Sequence, residues 1–186
     1  TAVAKNSWGY VADMDYKSAD AVIGDLVDIV SKNGALLLNI GPRPDGTIPE
    51  QDEAVLLEIG GWLNVNGEAI YGTRPWKVFG EGPTEVVAGG FSDTKRQAFT
   101  ARDVRFTAKG DTLYAIVLAI PEGDEVFIQS LGSDLRLYTA AIGNVQLIGS
   151  KEPLQWTREG SGLRVKLPAA KQCQHALSLK ITKKQG

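Results

Sequence analysis

The chain has 186 residues, with 20 Lys and Arg against 22 Asp and Glu, a net charge of −2, and 43% hydrophobic residues, the balance of one globular domain or of a small domain plus part of another. Scattered bases argue against a nucleic-acid stripe, and no apolar run reaches the roughly 18–20 residues that a membrane-spanning helix needs. With one Cys and one His, Cys173 and His175, an internal disulfide and Cys-based or His-pair metal motifs are excluded, and a histidine-driven triad is disfavoured.

The chain opens Thr1-Ala2-Val3-Ala4-Lys5, without an initiator Met, an apolar signal core or a cleavage pattern, and reads as a cut or processed end. Ser18 predicts a helix N-cap, followed by Val22, Ile23, Leu26, Val27 and Val30 at helical spacing. Asn33-Gly34 then marks the helix stop. Ala35-Leu36-Leu37-Leu38-Asn39-Ile40 is a continuous apolar run bounded by Gly41-Pro42, which predicts a strand buried on both faces, as in a parallel sheet. Pro44-Asp45-Gly46 predicts a turn. Thr47 and Glu50 have the spacing of a capping box, with Pro49 in the first turn of a second helix. That helix has an apolar face of Val55, Leu56, Ile59, Trp62 and Leu63 and ends at Asn66-Gly67. Helix, buried strand and helix form one unit of an α/β fold, and a single such strand cannot bury its own faces.

From about Trp76 the periodicity changes from 3.6 to 2. The clearest predicted strands are Asp103–Ala108, Thr112–Ala119, Glu125–Ser130, Val145–Ile148, Gly162–Leu167 and Ala176–Thr182. Leu163, Val165 and Leu167 alternate with Arg164 and Lys166, the mark of half-buried antiparallel strands. Lys109-Gly110-Asp111 predicts a hairpin turn. An antiparallel β-sandwich of about 110 residues and seven to ten strands follows.

Three segments carry a resemblance. They are Ser7-Trp8-Gly9-Tyr10; Leu36-Leu37-Leu38-Asn39-Ile40-Gly41-Pro42 with Asp45-Gly46 after it; and Gly61-Trp62-Leu63 leading to Asn66-Gly67-Glu68-Ala69-Ile70-Tyr71-Gly72. In this order and spacing the chain resembles the α-L-fucosidases of glycoside hydrolase family 29, strongly over residues 6–76. Beyond them it does so only by the sandwich's position and Leu113-Tyr114-Ala115-Ile116. The resemblance implies an α/β barrel fragment followed by an all-β antiparallel sandwich. Residues 1–75 would form the C-terminal part of a (β/α)₈-like catalytic barrel, and residues 76–186 the sandwich.

It also implies a retaining exo-hydrolase that removes terminal α-L-fucose from fucosylated glycans or fucosides, without cofactor or metal. Barrel active sites lie at the C-terminal ends of the strands, which makes Trp8, Tyr10 and Asn39 the candidate substrate-binding residues. Trp8 would meet the C6 methyl of fucose. Retention needs a carboxylate nucleophile and a carboxylic acid/base about 5–5.5 Å apart; in the family both precede the segment matching Ser7–Tyr10, so no catalytic residue is assigned here and the chain alone is expected to be inactive. Its expected partners are the missing barrel portion or a second copy of itself.

Each candidate has a plainer role. Asn39 can satisfy neighbouring loops instead of a sugar. Trp62 suits the core, and Trp76 and Trp156 suit the sandwich or an interface. Asp13, Asp15 and Asp20 read as loop or capping carboxylates, and His175 and Cys173 as structural. Gly89-Gly90 lacks the strand-to-helix context of a phosphate loop. Two rival readings are a non-catalytic carbohydrate-binding or oligomerising module, with Trp156 and Tyr138 as its visible platform, and an inactive truncated product.

Overall fold

The computed structural model describes residues 1–86, 97–169 and 174–184; Gly89-Gly90 and Cys173 lie outside the described residues. Helix α1, Ala19–Ser31, begins where the Ser18 side chain accepts the Ala21 N–H at 3.3 Å. It closes with paired bonds from Asn33 N–H to Val30 and from Gly34 N–H to Ile29, the Schellman arrangement. Asn33, at φ +68, takes the left-handed position, one residue earlier than the glycine suggests.

Helix α2, Glu50–Asn66, starts without the capping box. Its N-cap is Pro49, which makes no side-chain bond. Thr47 is instead drawn into the preceding turn, where its N–H and hydroxyl both reach Asp45. Those two bonds hold the Asp45 carboxyl below its usual range. Glu50, Asp52 and Glu53 in the first turn supply the negative charge that a helix N-terminus favours.

Eight strands follow among the described residues: β1 Arg74–Glu81, β2 Val104–Lys109, β3 Thr112–Val117, β4 Glu125–Ile128, β5 Ile142–Leu147, β6 Gln155–Arg158, β7 Leu163–Lys166 and β8 Leu177–Lys183. They form two antiparallel sheets, in the orders β1-β2-β3-β8-β5 and β4-β7-β6. A two-residue turn with Gly110 at φ +56 joins β2 to β3. The strand predicted through Ser130 stops at Ile128, because the Glu81 carboxylate takes the N–H groups of Gln129 and Ser130 and turns them into a 3₁₀ helix.

Period-2 alternation lets the larger sheet bury both faces. Phe106, Leu113, Ala115, Val117, Leu177, Leu179 and Ile181 meet Val126, Ile128, Leu163 and Val165 of the smaller sheet. Tyr114, Ile116 and Leu118 point the other way, onto Val22, Ile23 and Val27 of α1 and Val55, Ile59 and Trp62 of α2. The Trp62 indole donates to the Ala176 carbonyl at 2.8 Å, which places it in the core as its helical position predicts. Arg105 on β2 forms a buried 2.6 Å ion pair with Asp28 of α1, which also receives Lys32 at 2.7 Å.

The run Ala35–Ile40 differs from the expected strand. Among the described residues it makes one bridge, parallel, between Ala2 and Asn39, and joins neither sheet. Leu36, Leu38 and Ile40 lean on the helix cluster, whereas Leu37 is 80% exposed. A strand is buried on two faces and paired on two edges only when neighbours exist; among the described residues it has one short neighbour, residues 1–4.

Candidate functional site

Two segments run side by side at one end of the helical half. The Val3 N–H donates to Asn39, and the Asn39 N–H donates to Thr1, each at 3.0 Å. The chain leaves this pairing in a loop that returns at Tyr16, which bridges to Ala4. The Asn6 side chain ties the loop across its width, donating to the Asp13 carbonyl at 2.8 Å and accepting the Asp15 N–H at 3.1 Å. Lys5 pairs with Asp15 at 3.0 Å.

The structure brings Trp8, Tyr10 and Asn39 together. The Asn39 side-chain amide donates to the Trp8 carbonyl at 2.6 Å, so the amide fixes the backbone that carries the indole. Trp8 is 55% exposed and Tyr10 40%, so both rings face outward from a pinned loop. Gly41 completes the junction. A Cβ there would lie 3.1 Å from the Tyr10 amide nitrogen and 3.2 Å from the Gly9 carbonyl carbon, closer than ordinary contact allows.

One carboxylate missed by sequence reasoning organises the floor. Asp52, buried in the first turn of α2, accepts the Tyr16 hydroxyl at 2.8 Å and the Gly41 N–H at 3.3 Å. Burial, with the hydrogen bond to Asp52 and that residue's charge, pushes the Tyr16 phenol up to about 12. The signal was present in the spacing: Asp52 precedes Val55 by three residues and Ile59 by seven, on the buried stripe of the helix. A charge on that stripe must be paired.

Of the acidic group near this face, Asp15 pairs with Lys5, and Asp20 lies 2.6 Å from the His175 ring. An aromatic pair on a hydrogen-bonded loop offers apolar contact and orientation to a ligand; it supplies no attacking group. Trp156 and Tyr138, the rival platform, are both partly buried against the core between the sheets.

The architecture of paired antiparallel sheets backed by two helices is that of the C-terminal region of a fucoside-cleaving enzyme family. Residues 1–68 match the family model described as alpha-L-fucosidase, and residues 97–182 match alpha-L-fucosidase C-terminal domain. The tissue alpha-L-fucosidase of Bos taurus is 35% identical over 98% of the chain and 36% of its own length; the Homo sapiens counterpart is 33% identical with the same coverage. An α-fucosidase of Thermotoga maritima, solved in complex with fucose, superposes with a TM-score of 0.72 at 30% identity, over 96% of this chain and 38% of that one. The chain belongs to the α-L-fucosidase family. It spans about 36% of the length of the curated relatives it matches.

Proposed function

We propose that this chain is part of a retaining exo-α-L-fucosidase, with fucosylated glycans or fucosides as substrates. Residues 1–75 supply the closing part of a (β/α)₈-like barrel, and residues 76–186 the sandwich behind it. Trp8, Tyr10 and Asn39 form one wall of the sugar pocket. The observation that carries this reading is the 2.6 Å bond from Asn39 to the Trp8 carbonyl. It presents an exposed indole at the end of two parallel segments, the position where barrel enzymes bind substrate.

Trp8 offers the apolar surface that a C6 methyl prefers to water. Asn39 acts through the loop it holds, as a positioning residue. The two carboxyl groups of a retaining mechanism belong to the barrel portion preceding the matched segment, so the 186-residue chain by itself is inactive. Exposed apolar side chains on the helical half, including Leu37, Ile48 and Leu57, suit either that barrel portion or self-association.

The test is hydrolysis of an aryl α-L-fucoside by the chain alone, by the chain joined to its preceding barrel region, and by the joined form carrying Trp8→Ala. Activity is expected only after joining, and should fall with Trp8→Ala. Turnover by the 186-residue chain that vanishes on changing one of its own Asp or Glu residues overturns the reading.

A further inference from the structure

A second aromatic groove lies on the sandwich, remote in sequence from Trp8. It has a volume of about 210 Å³, with Trp76, Leu137, Tyr138, Asp111 and Lys183 among its walls. This is smaller than the roughly 300–1,000 Å³ typical of sites for drug-sized ligands, a scale that suits a single ring.

Both aromatic walls are held in place. Trp76 packs on Phe106 with ring centroids 5.0 Å apart and a tilt of 58°. The segment carrying Tyr138 is clamped by Arg158, which donates to the Tyr138 carbonyl at 2.5 Å, the Ala140 carbonyl at 3.1 Å and the Leu131 carbonyl at 2.8 Å. The same guanidinium lies 5.8 Å from the Tyr138 ring centroid. Ordering costs that weaken binding are therefore already met by the fold.

The polar rim is balanced. Lys183 Nζ lies 2.7 Å from Asp111 Oδ2, with both side chains substantially exposed. Burial pushes the Tyr138 phenol up, although Arg158 and Lys183 pull the other way, so the ring carries its proton at neutral pH and its hydroxyl can donate. A cancelled charge pair selects against an anion or a cation, yet offers a donor and an acceptor side by side. Vicinal hydroxyls accept and donate in the same way, and the C–H face of a pyranose is apolar enough to lie on an indole.

We propose that this groove binds one neutral hexopyranose unit of a glycan, separately from the Trp8 wall. The proposal rests on the glycan-directed reading above, and extends it from cleavage to capture of the carrier.

The experiment uses the complete protein and methyl β-D-galactopyranoside or methyl N-acetyl-β-D-glucosaminide as probe. Saturation-transfer NMR reads contact with the pyranose ring protons, while an aryl α-L-fucoside assay runs in parallel. The expected result is millimolar binding by the wild type, at least fivefold weaker in Trp76→Leu and about threefold weaker in Asp111→Asn, with fucoside turnover unchanged in both. Absent signal in the wild type, or equal signal in the wild type and both variants, overturns the proposal. If Trp76→Leu does not fold, Asp111→Asn decides alone, and unchanged binding there overturns it. Groove-dependent binding without any fucoside turnover sustains the groove and removes the catalytic reading.

Discussion

At Asn39 one side-chain amide carries the geometry of the proposed sugar wall, because its hydrogen bond ends on the backbone of Trp8. A neutral hydrogen bond contributes about 1 kcal/mol net, which corresponds to roughly fivefold in an equilibrium. Asn39→Ala in the complete enzyme is expected to lower kcat/KM on an aryl fucoside by about that factor. Melting should shift little, since Asn39 is only partly buried. Asp52 behaves differently, because it is fully buried and serves two donors. Tyr16→Phe removes one donor from a buried carboxylate and should cost about 1–3 kcal/mol, measured as a urea midpoint near pH 7. The pH dependence follows from the folded phenol near 12 against about 10 in the unfolded chain. The raised value means that the contribution is complete below about pH 10 and is lost as pH climbs towards 12. The gap between wild type and Tyr16→Phe should therefore be constant from pH 7 to 9 and narrow above 10; a gap that narrows below pH 9 contradicts the assignment.

At the scale of elements, α1 is fastened to the large sheet by the Arg105–Asp28 pair beneath Phe79 and Phe99, whose rings lie 5.5 Å and 5.2 Å from the guanidinium. Removing one member of a buried pair costs about 3–5 kcal/mol, while replacing both with apolar residues is often neutral. Arg105→Ala should therefore be strongly destabilised in urea titration, and Arg105→Met with Asp28→Leu should recover most of the loss. Equal destabilisation of both forms counts against this account. Much of this element layer was legible in the sequence. Ser18 caps α1, the period-2 runs become strands, and Trp62 is core, because each depends on local pattern. The misses have local causes too. Thr47 was captured by Asp45 before it could cap α2. Strand β1 contains Pro75 and Gly80, with a register shift between them, and β6 is four residues long, so neither shows a clean alternation. At the candidate site, Trp8, Tyr10 and Asn39 were singled out by resemblance alone. The bond that joins Trp8 to Asn39 and the role of Asp52 were not foreseen, since both cross between segments far apart in the chain.

For the whole molecule, the helical half leaves Leu37, Leu57 and Tyr71 more than half exposed, apolar surface that a neighbouring barrel portion or a second copy could cover. Sedimentation of the isolated chain is expected to show species larger than the monomer, and a monodisperse dilute monomer contradicts this. The large sheet has a further consequence, one of timing. Strand β8 follows the other described strands in sequence but lies inside the sheet, between β3 and the edge strand β5, and its approach carries the Ala176 carbonyl that receives the Trp62 indole from 114 residues earlier. During synthesis neither face of that sheet can close until β8 has left the ribosome. Non-local pairings of this kind must meet their loop-closure cost before any contact compensates it. The large sheet should therefore complete its pairing only once β8 has emerged, with the helices that pack on it exposed to chaperones in the interval.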